Sequence, residues 1–128
     1  MTTIMFQSRF AGPLQAGTKR QTIRPPRKRP IKVGERLSLR RWQGKAYRSS
    51  QVKIIDAECT GVFDILICAT GIRIGTGEFR TDVAWLDEFA RGDGFSGWGE
   101  MRTFFASRFG YGLPFEGTLI EFGEVTRA

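Results

Sequence analysis

Histidine is absent from the 128 residues. That excludes every His-dependent triad, every His-ligated metal site and the commonest general base. Any chemistry falls to Lys, Thr, Ser, Cys, Tyr or carboxylates. Cysteine is scarce, and Cys59 and Cys68 lie in strand-like apolar runs. They read as buried free thiols in a reducing compartment rather than as a disulfide framework. No run of eighteen or more apolar residues occurs, so no membrane span is expected. The start, Met1 to Phe6, lacks the charged opening and long apolar stretch of a secretory signal, and a cytoplasmic location is expected. Acid is the other shortage, and it is local. Residues 1–55 carry fourteen basic side chains and one acid, Glu35, whereas residues 56–128 carry six basic and twelve acidic ones.

The remaining composition suits one folded domain. At 128 residues with 41% hydrophobic content and eleven Phe, the chain has ample core material. Sixteen Gly and five Pro are dispersed along it, favouring a turn-rich, strand-rich fold. With no internal repeat and no linker, residues 1–128 are expected to form a single domain, without an evident obligate protein partner.

Lys19, Arg20, Arg24, Arg27, Lys28, Arg29, Lys32 and Arg36 fall within eighteen residues. Such a cluster attracts phosphates and releases counterions from nucleic acid. Arg27, Lys28, Arg29 and Lys32 are the candidate nucleic-acid contacts. Pro25-Pro26 stiffens the segment, and Trp42 and Tyr47 can supply stacking surfaces nearby. A solvated, solubilising face is the plainer reading of the same charges. An anionic ligand, nucleotide or RNA, is favoured.

Thr3–Gln7 reads as an opening strand, and Ser8–Ala16 as a short helix or turn that Gly17 stops. Lys19–Arg24 follows on a loop or short extended segment, because a residue before Pro is pushed towards extended backbone. A turn at Gly34 feeds a strand with Leu37 and Leu39 on one face. Gln51–Glu58 and Val62–Cys68 read as two strands, and Ile72 with Ile74 as a further short one. Thr81 caps a helix carrying Val83, Leu86, Phe89 and Ala90 at helical spacing, broken by Gly92-Asp93-Gly94. A second helix runs from about Trp98 to Phe109, with Met101, Phe104, Phe105 and Phe109 on one side and Gly110 and Gly112 ending it. Glu116–Glu124 alternates as a last strand. This order predicts an α+β domain with a mostly antiparallel sheet or barrel.

Phe6-Gln7-Ser8-Arg9-Phe10, then Ala16-Gly17-Thr18-Lys19 and Thr22-Ile23-Arg24, resemble the signature of ASCH domains. Lys32-Val33-Gly34-Glu35, Asp93-Gly94-Phe95 ahead of a helix, and a last strand ending in Ile120-Glu121-Phe122 extend the resemblance over nearly the whole chain. The Lys-X-X-Thr-Ile-Arg part is fairly specific. The resemblance implies a PUA-like β-barrel with flanking short helices and a central cleft, linked to RNA or modified nucleosides. Some small ASCH members are amidohydrolases that deacylate N4-acetylcytidine with a Lys, a Thr and an acid just before the late helix. By position these fall on Lys19, Thr22 and Asp93. The acid departs from the Glu of those enzymes, being one methylene shorter.

Amide hydrolysis without His or metal needs a nucleophile, a proton acceptor and oxyanion stabilisation. Thr22 offers the hydroxyl. Lys19 can be the base if its pKa is lowered, and Arg20 and Arg24 push it that way. Asp93 can protonate the leaving amine or orient the cytosine edge. Arg24, Arg20, Phe6 and Phe95 are the candidate substrate-binding residues, and neither cofactor nor metal is called for. Structural roles compete: Thr22 is a good β-former, and Asp93 between glycines is an attractive turn or cap residue. The expectation is a metal-independent amidohydrolase acting on N4-acylated cytosine nucleosides. The alternatives are a non-catalytic RNA-binding module, or a single-strand ribonuclease working through Lys19 and Arg24.

Overall fold

A computed structural model describes residues 1–108 and 112–124. Strand β1 (Thr2–Phe6) leads through a 3-10 turn (Ser8–Phe10) into helix α1 (Ala11–Ala16), then β2 (Gln21–Arg24), β3 (Arg36–Trp42), β4 (Gln51–Cys68) and β5 (Gly71–Ile74). Helices α2 (Val83–Gly92) and α3 (Trp98–Arg108) precede the last strand, β6 (Phe115–Gly123). The expected helix residues Phe109 and Gly110 lie outside the described residues. Among the described residues no helix is long and apolar enough to cross a membrane.

The domain is α+β, built on one six-stranded sheet in the order β1-β3-β4-β6-β2, with β5 also on β4. The β1–β3 pairing is parallel and the others are antiparallel, so the sheet is mostly antiparallel, as predicted. It does not close into the expected barrel. Edge strands β1 and β2 share no ladder. Side chains span the gap instead: Arg24 Nη2 donates to the Met5 carbonyl at 2.7 Å, and its guanidinium lies 4.7 Å from the centre of the Phe6 ring.

The two strands expected over 51–58 and 62–68 are one continuous β4 of 18 residues. Its first half pairs with β3 and its second with β6 and β5. The apparent break at Thr60-Gly61 is a register shift against β6, and a bulge bends a strand without ending it. The position is tight: a Cβ at Gly61 would lie 2.6 Å from a Glu121 carboxylate oxygen and 2.8 Å from the Phe63 ring, so those side chains would have to shift. Leu37 and Leu39 do share a face and are fully buried. The cap of α2 is Asp82 rather than Thr81: Asp82 Oδ1 accepts from the amides of Ala84 at 2.8 Å and Trp85 at 3.4 Å. Either residue can cap a helix, and Asp82 is the one beside the first turn.

The core lies between one face of the sheet and α1, α2 and α3. Leu14, Leu86, Met101 and Phe105 enter it from the helices, and Leu39, Ile67, Leu119 and Ile120 from the strands. Cys59 is buried, Cys68 is half-buried, and neither is in a disulfide.

Candidate functional site

Three chain ends converge to build the site. Gly17 caps α1 in the left-handed region at φ +79°, where glycine has no Cβ to clash. This turns the chain back so that the Thr18 and Lys19 amides both donate to the Pro13 carbonyl, at 3.0 and 3.1 Å. Arg20 N then donates to the Gly92 carbonyl at 3.0 Å, and Phe122 N donates to the Arg20 carbonyl at 3.1 Å. The segment entering β2 is thereby pinned between the end of α2 and strand β6. That pinning delivers Lys19 to Asp93.

Asp93 ends α2, its amide donating to the Phe89 and Ala90 carbonyls at 3.2 and 3.1 Å. It is therefore a helix terminus and a site residue at once. Lys19 Nζ donates to the Asp93 backbone carbonyl at 2.5 Å and stands 3.6 Å from Oδ1. The ammonium also sits 4.6 Å from the Phe10 ring centre and 5.6 Å from that of Phe6. Lys19 is 3% exposed and Asp93 2%. Taking charge out of water disfavours the charged form of each. Burial pushes the Lys19 amine below its ordinary range, with Arg24 and Arg9 adding to the effect and Asp93 opposing it. Burial pushes the Asp93 carboxyl up to about 6, against the pull of Lys19, Gln21 and Arg24. Both shifts run towards a neutral pair.

Thr22 and Arg24 lie two apart on β2 and so share one face. Arg24 Nε donates to Thr22 Oγ1 at 2.9 Å. Thr22 is 3% exposed, and its hydroxyl hydrogen meets no acceptor among the described residues. Lys19 Nζ is not hydrogen-bonded to Thr22 Oγ1 among the described residues; the amine faces Asp93.

Lys19, Thr22, Arg24 and Asp93 line one cavity of about 60 Å³ with Phe6 and Phe95. Six of the seven predicted catalytic and substrate-binding residues are thus brought together. Arg20 is the exception. It precedes the strand, and although in phase with Thr22 and Arg24 its side chain turns towards Gly92 at the end of α2. Arg27, Lys28, Arg29 and Lys32 are exposed on the connection from β2 to β3 and do not line this cavity.

Sequence reasoning missed Gln21 and Phe10. Gln21 is buried beside Asp93, its Nε2 without a hydrogen-bond partner, and Asp93 Oδ1 is likewise unsatisfied. The signal for Gln21 was an amide in an otherwise basic run, which periodicity cannot interpret. Phe10, Phe104 and Phe105 also line the cavity; the last two were legible only as a buried helix face.

The cavity, at about 60 Å³, matches a small acyl group and is well below the about 150 Å³ of a cavity that holds benzene. The cavity adjoins a wider groove of about 420 Å³. Met5, Phe6, Gln7 and Arg24 line both. The chain matches no family model, no curated protein and no solved structure.

Proposed function

We propose that the protein is a metal-independent amidohydrolase that removes the acyl group from N4-acylated cytosine nucleosides, N4-acetylcytidine being the simplest. The observation that carries this reading is the buried Lys19–Asp93 pair, both members shifted towards neutrality, sharing a small cavity with the Thr22 hydroxyl. The resemblance of Lys19-X-X-Thr22-Ile23-Arg24 to ASCH amidohydrolases supports it, as does a cavity of acyl-group size.

The reaction balances with these groups alone. The acyl group enters the cavity and the cytosine ring stays at its mouth, against Phe6. Thr22 Oγ1 attacks the acyl carbon while its proton passes to the neutral Lys19 amine. Arg24, whose Nε holds Thr22 Oγ1 in place, brings its guanidinium beside the acyl carbonyl oxygen, where the negative charge of the tetrahedral intermediate develops. The C–N4 bond breaks as Asp93 or the protonated Lys19 gives a proton to the leaving amine. Water then hydrolyses the Thr22 ester, releasing carboxylate and restoring the hydroxyl. Because Lys19 Nζ rests on Asp93, it swings from the Asp93 carbonyl to Thr22 when substrate enters. Hydrogen bonds in catalytic sites often tighten only in the complex.

Incubation with N4-acetylcytidine tests the reading. Release of cytidine and acetate, lost in Lys19→Ala and Thr22→Ala, is the expected result. Absence of turnover with any acylated cytosine, together with steeply salt-dependent RNA binding, overturns it in favour of a non-catalytic RNA-binding module. Strand scission would identify a ribonuclease.

A further inference from the structure

Beyond the base held against Phe6, the groove that adjoins the cavity continues. It runs from Phe6 and Arg24 to Trp42 and Tyr47, which sit at the end of β3 and in the loop leading to β4. Their rings lie 5.1 Å apart at 49°, and Tyr47 is 88% exposed. An aromatic ring left in water beside a groove is available for stacking.

The loop that presents Tyr47 is ordered by its own hydrogen bonds. Gln43 N donates to the Ser50 carbonyl at 2.9 Å and Arg48 N to the Lys45 carbonyl at 3.1 Å. Ser49 Oγ accepts from Gly44 N at 3.0 Å and donates to the Lys45 carbonyl at 2.9 Å. Tyr47 itself is held at φ +63°, a left-handed conformation unfavourable for a bulky residue. The ring is thus offered on a preformed turn, and little ordering remains to be done on binding.

Charge selects the ligand. Arg24 lines the groove itself, and the flanking strand β3 with its loop adds Arg36, Arg40, Arg41, Lys45 and Arg48 nearby in the chain and no acid. An uncharged nucleoside makes no use of that surface, whereas a phosphodiester chain does. Alternating cations and ring faces are how single strands are held.

We infer that the groove between Phe6 and Tyr47 is a nucleotide subsite, in which the base neighbouring the reacting cytosine stacks on Tyr47 and Trp42. The substrate is accordingly a modified cytosine within single-stranded RNA. This rests on the amidohydrolase reading for the reacting base, while the subsite itself is testable without turnover.

The experiment has two arms. In the first, kcat/KM is compared for free N4-acetylcytidine and for a pentanucleotide with N4-acetylcytidine at its centre. The pentanucleotide should be preferred about tenfold or more at low salt, and Tyr47→Ala should remove most of that preference. In the second, binding of the unmodified pentanucleotide is followed by tryptophan fluorescence, with Trp42→Leu identifying the reporter. Quenching that weakens about tenfold in Tyr47→Ala supports the subsite even if no acylated cytosine is turned over, and in that case only the amidohydrolase reading falls. Equal rates on nucleoside and pentanucleotide, with Tyr47→Ala depressing both alike, overturn the subsite and leave the hydrolase standing. Competition by a ring-free polyanion as effective as RNA, unaffected by Tyr47→Ala, also overturns it. Tyr47 is exposed at a loop tip, so its truncation leaves the core intact.

Discussion

Lys19 reaches Asp93 twice, through the backbone carbonyl at 2.5 Å and across 3.6 Å to the carboxylate. The first contact depends on where α2 ends and the second on the side chain. An ion pair this deeply buried gains little over a well-packed apolar pair, because both charges have lost water. Breaking it is different, for the surviving charge is left in a low-dielectric wall of Phe6, Phe10 and Phe95. Asp93→Ala should therefore cost about 3–5 kcal/mol in urea unfolding at pH 7. Combining it with Lys19→Met should recover most of that loss. A double variant as unstable as Asp93→Ala would show that the backbone at the end of α2, and not the charge, sets the stability.

The same pair sets a pH dependence with a definite sign. The Asp93 carboxyl rises on folding from its ordinary 3.8 to about 6. Its contribution to stability is thus fully present below pH 3.8 and fades as pH climbs through about 6. Lys19 is displaced downwards, so its contribution is present above the ordinary amine range and fades as pH falls through its folded value. Asp93→Asn removes the first of these titrations. Relative to wild type, the variant should gain unfolding free energy steadily between pH 4 and 6, by an amount on the order of 3 kcal/mol, with Tm rising in step. Parallel Tm curves over that range would show that Asp93 does not titrate there. Gln21 pulls the Asp93 pKa down, so Gln21→Leu should move the transition to higher pH.

Much of this geometry was legible in the sequence, and what was not has identifiable causes. Alternation put Leu37 and Leu39 on one buried face. Gly17 and the Gly92-Asp93-Gly94 break correctly marked helix ends, because each needs backbone freedom that other residues lack. Local signals failed where tertiary pairing decides. Thr60-Gly61 resembles a turn, yet β6 holds β4 continuous across it. The barrel expectation failed because no pattern within β1 or β2 reveals that Arg24 and Phe6, rather than a ladder, fill the space between them. Arg20 was grouped with Lys19 by proximity along the chain, although only backbone pairing to Gly92 fixes its direction.

Gly94 offers a test of how tightly the site is packed. It adopts φ +94°, and a Cβ there would lie 3.0 Å from both Lys19 Cδ and a Phe10 ring carbon. Backbone strain and crowding therefore act together. Gly94→Ala should lower stability by about 1–3 kcal/mol and weaken deacylation further by displacing the amine. A variant with unchanged stability and activity would mean that the α2–α3 connection yields freely, contrary to this packing.

Arg24 joins the two halves of the site, and its contacts separate chemistry from architecture. Nε bonds Thr22, Nη2 bonds the Met5 carbonyl, and the guanidinium plane covers Phe6. Lysine retains the charge but not the fork, and cannot make the first two bonds together. Arg24→Lys should therefore cost only about 1–2 kcal/mol of stability, the loss of hydrogen bonds at a partly exposed gap. Its effect on kcat should be larger, roughly a hundredfold, because the fork that positions Thr22 and faces the developing oxyanion is lost. Measuring kcat and KM alongside urea unfolding checks this: the fall should appear in kcat. A fall confined to KM would place Arg24 among the groups that only hold substrate, and the oxyanion would then require another donor.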